Sequence, residues 1–290
     1  MSFNRYKLFE SRSLAHRLFK RHHTHFNDIY WSQRVSYKHV FSLTQPFSRD
    51  DSVTSLFNPT TAENRNGRTL GDWADWYSAF DCWSRMAYIV GLAGYLETYI
   101  AQVSVAAFES TPSLILGGGP KIDGAVFLKH NPDYDLYSYS ESLTRGDWQS
   151  RVSAYRGFFG SCPFESRISA LEKLRRLRND AGHSFGRDIK SMRFAQGWEV
   201  NKLVKISDDK IIEFLQLVES VANSIDSHIA EQFIGQYEII KVYHQWRRTL
   251  DQANRYAPKE VAKKFRQHFY ELTSGIYRPT NKMMEYYDSL

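Results

Sequence analysis

The sequence is poor in cysteine. Cys82 and Cys162 are the two among 290 residues, and no paired spacing joins them. That excludes a disulfide framework and a cysteine-rich zinc site. It fits a reducing compartment, so a cytoplasmic location is expected. The opening stretch MSFNRYKLFESR has no apolar core, which argues against a secretory signal. An uninterrupted apolar run is missing too. The nearest approach is MAYIVGLAGYLETYIAQVSVAAF at 86–108, where Glu97 stands near the centre among tyrosines and glutamine. A buried core helix is expected there, not a membrane span. GGGPK at 117–121 lacks the spacing and the Lys-Ser/Thr ending of a phosphate loop. There is no nucleophile elbow, no internal repeat and no low-complexity tract.

What is present is ordinary globular material with a basic bias. Hydrophobic residues make up 42%, charged residues 24% and aromatics 15%, with a formal net charge of +6. Residues 1–50 carry nine Lys or Arg against three acids, and nine minus three equals the excess of the whole chain. Such an arm suits a polyanion such as nucleic acid. A solvated N-terminus is the competing reading. His16, His22, His23 and His25 lie close together there, but no carboxylate or cysteine completes an evident site. Neither a metal nor a cofactor is expected.

The hydrophobic pattern predicts an all-α fold. VSYKHVFSL, at 35–43, has the composition of a strand. NPTTAENRNGRTLGD, at 58–72, reads as a linker. A long helix follows, from Asp72 or Ser78 to Glu109, with Met86, Ile89, Val90, Ala93, Leu96, Ile100, Val103 and Ala107 at steps of three and four. Thr111-Pro112 stops it. Residues 113–143 read as an irregular insertion with short strands. A second helix occupies 144–160 and stops at Gly160. A third begins near Pro163. Ser207 is the expected N-cap of a fourth, with acids in its first turn. Three segments result: a basic aromatic extension at 1–70, a helical bundle at 71–235 with its insertion at 113–143, and a helical extension at 236–290.

Arg178 is the anomaly. On a helix turning ~100° per residue, Phe164, Ile168, Leu171, Leu174, Leu177, Ala181 and Phe185 share one face, and Arg178 falls in the middle of it. A charge on an apolar face is costly unless it is paired or reaches a polar ligand. Three accounts fit: snorkelling into water, an ion pair with Glu97, or a cleft that receives an anion. Asn179, His183 and Arg187 are spaced i, i+4, i+8 on one edge, with Arg175 one turn before. Guanidinium groups match phosphate oxygens through paired donors, and imidazole moves protons near neutral pH. An Arg and a His beside a phosphodiester suffice for metal-free RNA cleavage, in which a 2′-hydroxyl attacks phosphorus. DNA lacks that hydroxyl.

Arg178-Asn179-Asp180-Ala181-Gly182-His183 resembles the Arg, four-to-six residues, His signature of HEPN-domain proteins. GLAGYLETYI is similar to the first long helix of such domains. WQSRVSAYRGFFG and LEKLRRLRNDAGH are similar to the second and third, and IIEFLQLVESVANSIDSHI to the fourth. The resemblance spans roughly 78–235 and leaves both ends unexplained. It implies an antiparallel all-α bundle that pairs as a homodimer, so that two motifs face each other. It implies a metal-independent endoribonuclease of a toxin or anti-phage defence system, with RNA such as tRNA as substrate, an antitoxin or sensor protein as partner and no membrane. Arg178 and His183 would be the catalytic pair. Asn179 and Asp180, with Arg175 and Arg187, would orient them or contact RNA. Phe185 stands where one branch of the family carries a modified tyrosine. Gly182 weakens the helix by about 1 kcal/mol relative to alanine. Some members bind RNA or nucleotide without cutting, so a non-catalytic sensor or scaffold module is the alternative; a helical interaction protein with Arg178 in an ion pair is a third reading. Tyr134, Tyr137 and Tyr139 are candidates for base stacking, and Trp246-Arg247-Arg248 for an RNA surface or a dimer contact.

Overall fold

The computed structural model describes residues 3–60, 63, 69–117, 122–131, 133–184, 204–250 and 256–290, with backbone alone at 183 and 184. Among them lie eleven α-helices and no strand, so the fold is all-α. The helices are α1 (Leu14–Leu43), α2 (Leu70–Ser110), α3 (Ser113–Leu116), α4 (Gly124–His130), α5 (Glu141–Thr144) and α6 (Trp148–Phe159). They continue with α7 (Ile168–Ser184), α8 (Asp208–Ile229), α9 (Tyr237–Thr249), α10 (Pro258–Leu272) and α11 (Asn281–Ser289).

Local chemistry sets several of these boundaries. Thr69 Oγ1 accepts the Asp72 N–H at 3.1 Å, and the Asp72 carboxylate accepts the Thr69 N–H at 3.3 Å. This reciprocal cap starts α2. Thr111-Pro112 ends it, because proline has no N–H to continue the ladder. Among the described residues, α2 is the one helix long and apolar enough to cross a membrane, and 56% of its apolar window is buried within the protein. Ser207 Oγ accepts the Lys210 N–H at the head of α8. Gly160, at φ +83°, closes α6 by donating to Arg156 O at 2.8 Å; a side chain is disfavoured in that left-handed conformation.

Two expectations fail. VSYKHVFSL is not a strand; it forms the last turns of α1. His16, Phe19, His23, Tyr30 and Arg34 are buried at helical spacing along α1, and that burial outweighs the strand propensity of nine residues. The insertion at 113–143 also has no strand among its described residues. Asp123 caps α4 by accepting the Ala125 N–H, and Asp135 accepts the Tyr137 N–H in a turn. Acidic side chains that bond their own backbone favour such short helical turns.

The chain forms two compact units. The first joins Met1–Phe19, Glu97–Ile168 and Ser220–Leu290; the second joins Lys20–Leu96 and Ser169–Glu219. In the first, Tyr99, Phe108, Tyr155, Tyr237, Tyr243, Phe265 and Phe269 are fully buried. Their phenols are not left orphaned: Tyr99 donates to Ala222 O and Tyr237 to Glu109. An unpaired buried hydroxyl would cost about 1–3 kcal/mol. In the second unit, Tyr30, Met86, Ile89, Leu92, Leu171, Leu174 and Phe214 form the core.

The N-terminal segment is not a free basic arm. Arg5 is 3% exposed. It donates to Ser110 Oγ and O and to Ile234 O, and it pairs with Asp123 at 2.9 Å. A guanidinium on the last carbonyl of α2 is favourable to the helix dipole. At the head of α1, Asp226 accepts from the Ser13 N–H and hydroxyl, and Glu238 accepts the Leu14 and Ala15 N–H groups. Burial pushes the Glu238 carboxyl up to about 7, against the pull of its two N–H donors. A raised folded-state pKa means that the folded protein holds a proton which the unfolded chain releases. That stability is complete below pH ~4.5 and is lost as pH rises through ~7, amounting to at most about 3 kcal/mol. Glu238→Gln is therefore expected to gain on the wild type by up to this amount between pH 4.5 and 8 in urea unfolding. A pH-independent difference would refute the assignment.

Candidate functional site

The motif lies on the last turns of α7 in the second unit. Leu171, Leu174 and Ala181 are buried on one side of the helix, at 0%, 2% and 5% exposure. Arg178 shares that side and is half-buried. The helix continues through Gly182 to Ser184 despite the glycine. A Cβ at Gly182 would meet no atom within 4 Å, so steric need does not explain that glycine.

Asn179 holds the motif arginine. Its amide oxygen accepts a hydrogen bond from Arg178 NH1 at 3.0 Å. Asp180 is exposed and Asn179 half-buried. Arg175 is held by Glu172 through two bonds, Nε to Oε2 at 2.9 Å and NH2 to Oε1 at 2.5 Å, and Arg176 approaches the same carboxylate at 3.4 Å. Sequence reasoning missed Glu172, although its i+3 and i+4 relation to the two arginines was there to read. The His183 side chain, Phe185 and Arg187 lie outside the described residues.

Glu97 belongs to the first unit and forms an ion pair there. Its Oε1 accepts from Arg151 NH2 on α6 at 3.0 Å. Arg151 is 4% exposed, donates Nε to Gly146 O, and stands 4.7 Å over the Trp148 ring.

The histidine-rich stretch of α1 does not converge on one point. His16 donates to the Asn223 amide oxygen, His23 to Leu215 O, and His22 stacks on Tyr95. Among the described residues, no group of three or more His, Cys, Asp or Glu is placed to hold a metal ion. Tyr134 donates to Glu109 O, while Tyr137 and Tyr139 are exposed.

Another cluster, in the first unit, escaped the sequence reading. His228 Nδ1 lies 3.0 Å from the Tyr155 hydroxyl, and its Nε2 lies 3.2 Å from Ser161 Oγ. Burial holds the His228 pKa below its usual range, so the ring is neutral at pH 7. The neighbouring Cys162 thiol is pushed up to about 11 by burial and stays protonated. This hydroxyl–imidazole–phenol chain ties the exit of α6 to the end of α8. Ser161 and His228 are 67 residues apart in sequence, and no motif marks either.

No family model, no curated protein and no solved structure matches this chain.

Proposed function

We propose that this chain is a metal-independent endoribonuclease of the HEPN type, acting as a homodimer in a toxin or anti-phage defence system. The observation that carries the reading is the Arg178 to His183 spacing on one unbroken helix, with Arg178 half-buried on an otherwise apolar side and braced by Asn179. Positions five apart on an α-helix are ~7.5 Å apart along the axis and ~140° apart around it. One helix does not aim both side chains at the same phosphate; two copies of α7 facing each other supply a matching Arg and His. In this reaction His183 takes the 2′-hydroxyl proton and the 2′-oxygen attacks phosphorus. Arg178 offsets the charge that develops on the phosphoryl oxygens, and an imidazole of the paired site returns a proton to the departing 5′-oxygen. The product ends are a 2′,3′-cyclic phosphate and a 5′-hydroxyl.

The test is cleavage of a labelled structured RNA, such as a tRNA, in excess EDTA by wild type and His183→Ala. Wild type is expected to cut and leave the cyclic phosphate; the variant is expected to keep its dimer and its helical content but to cut at least ~100-fold more slowly. Undiminished cleavage by the variant would remove His183 from the chemistry. RNA binding without cleavage by the wild type would replace the nuclease by a binding module.

A further inference from the structure

Residues 1–50 carry nine cations against three acids, an excess equal to the net charge of the whole chain, but folding pairs much of it. Arg5 pairs with Asp123, Arg12 with Asp226, Lys20 with Glu219, Arg34 with Asp81 and Asp208, and Arg49 with Asp75. Five of the nine N-terminal cations are thus held by carboxylates of the protein's own units. Neutralised in this way, they offer little field to a polyanion. Residues 236–290 also carry a positive excess, ten Lys or Arg against six acids, and much of it faces outward. Arg247 and Arg248 are exposed in the last turn of α9, and Lys259, Lys263 and Lys264 are exposed along α10, Lys264 being 3.8 Å from Glu260 and over the Tyr256 ring.

The two helices are joined by aromatic packing at that place. Trp246, next to the two arginines, stacks on His268 with ring centres 6.1 Å apart and planes at 24°, and it packs on Phe265 at 5.2 Å. His268 follows Lys264 by four residues, so the two share one edge of α10. Trp246 and His268 are each half-buried. The first unit therefore presents guanidinium and ammonium groups around a partly exposed indole–imidazole stack. Cations that follow a phosphate backbone, interleaved with rings on which bases stack, are the two components of single-strand recognition.

We infer that the α9–α10 face is a docking surface for single-stranded RNA, with Arg247, Arg248, Lys263 and Lys264 on the phosphates and Trp246 and His268 against a base. The inference rests on the reading of the chain as an RNA enzyme only in its choice of ligand; none of its residues takes part in the chemistry at Arg178 and His183. Leu272 and Ile276, at and beyond the end of α10, are exposed as well, so an anionic lipid surface is the competing ligand and enters the test.

The experiment measures fluorescence anisotropy of a labelled 20-residue 2′-O-methyl oligouridine, which binds as RNA but has no 2′-hydroxyl to react. The full-length wild type, Arg247→Ala/Arg248→Ala, Lys263→Ala/Lys264→Ala and His183→Ala are titrated from 50 to 300 mM salt, with sedimentation on vesicles of 30% phosphatidylserine in parallel. Each double variant is expected to weaken binding about tenfold at low salt and to flatten the log Kd against log salt slope by about 1.4, roughly 0.7 for each lost phosphate contact. His183→Ala reports the share of binding that belongs to the motif at Arg178 and His183, against which the loss in each double variant is compared. No oligonucleotide binding by the wild type at 50 mM salt, or the same affinity and slope in both double variants, would overturn the inference. So would vesicle binding that the double variants abolish while the oligonucleotide is unaffected. Failure of tRNA cleavage with these binding results intact would discard the nuclease and keep the surface.

Discussion

Gly124→Ala is expected to unfold the first unit. A Cβ at this position would stand 1.6 Å from the Glu109 carbonyl oxygen and 2.7 Å from its carbon. Both are backbone atoms of the last turn of α2, where no rotamer change relieves the overlap. The close approach has a purpose, because it brings Asp123, the cap of α4, to Arg5 and to the Tyr286 hydroxyl. Moving α4 outward would break both contacts, although its own cap would travel with it. The expected loss exceeds about 4 kcal/mol, at the extreme of single substitutions. It would be read as insoluble protein or as a lost thermal transition, with Gly182→Ala as the control. That position is open, and alanine there is expected to stabilise α7 by up to about 1 kcal/mol. A Gly124→Ala protein with the wild-type transition would show that α4 packs elsewhere.

Asp81→Ala should be nearly as damaging, for an electrostatic reason. In the second unit, Asp81 accepts Arg34 NH1 at 2.6 Å through one oxygen and Arg85 Nε at 3.0 Å through the other. Asp208 completes the square, 3.0 Å from Arg34 Nε and 2.8 Å from Arg85 NH2, and it accepts the Tyr30 hydroxyl. Burial works against the Asp208 carboxylate, but Tyr30 and the two arginines outweigh it and hold its pKa below the usual range. Arg34 and Arg85 are buried, at 6% and 7% exposure. Deleting Asp81 leaves both facing a single carboxylate, and an undercompensated buried charge costs about 3–5 kcal/mol. Asp81→Asn keeps one acceptor and is expected to lose less. Arg34→Met combined with Asp81→Ala should destabilise by clearly less than the sum of the two single changes. Additive losses in denaturant unfolding would mean that the four groups do not act as one network.

Three helix boundaries were legible because their cause is local. Ser207 at the head of α8, Pro112 after α2 and Gly160 after α6 each act within four residues, the range over which sequence pattern speaks. The equally local cap of Thr69 and Asp72 escaped the sequence reading, which starts α2 at Asp72 or Ser78. The segment at 35–43 misled because a strand and a one-sided helix differ little over nine residues, and the burial of Tyr30 and Arg34 on α1 decides between them. The motif at Arg178 was legible as a motif. The hold of Glu172 on Arg175 was within reach of helical spacing, whereas the bond between the adjacent Arg178 and Asn179 was not.

By itself, then, the sequence determined the all-α class, the helix ends at Pro112, Gly160 and Ser207, and the placement of the Arg178 to His183 spacing late in a basic helix, because these depend on neighbours a few residues away. The tertiary structure alone decided where the charges go. Arg5 meets Ser110 across 105 residues, Arg151 meets Glu97 across 54, and Ser161 meets His228 across 67. The chain has 38 cations and 32 acids, so pairing at such distances is undetermined until packing selects among many equivalent partners. For this reason five of the nine cations of an N-terminus that reads as a basic arm are paired with carboxylates of the protein, while Arg247, Arg248, Lys259 and Lys263 are exposed on α9 and α10.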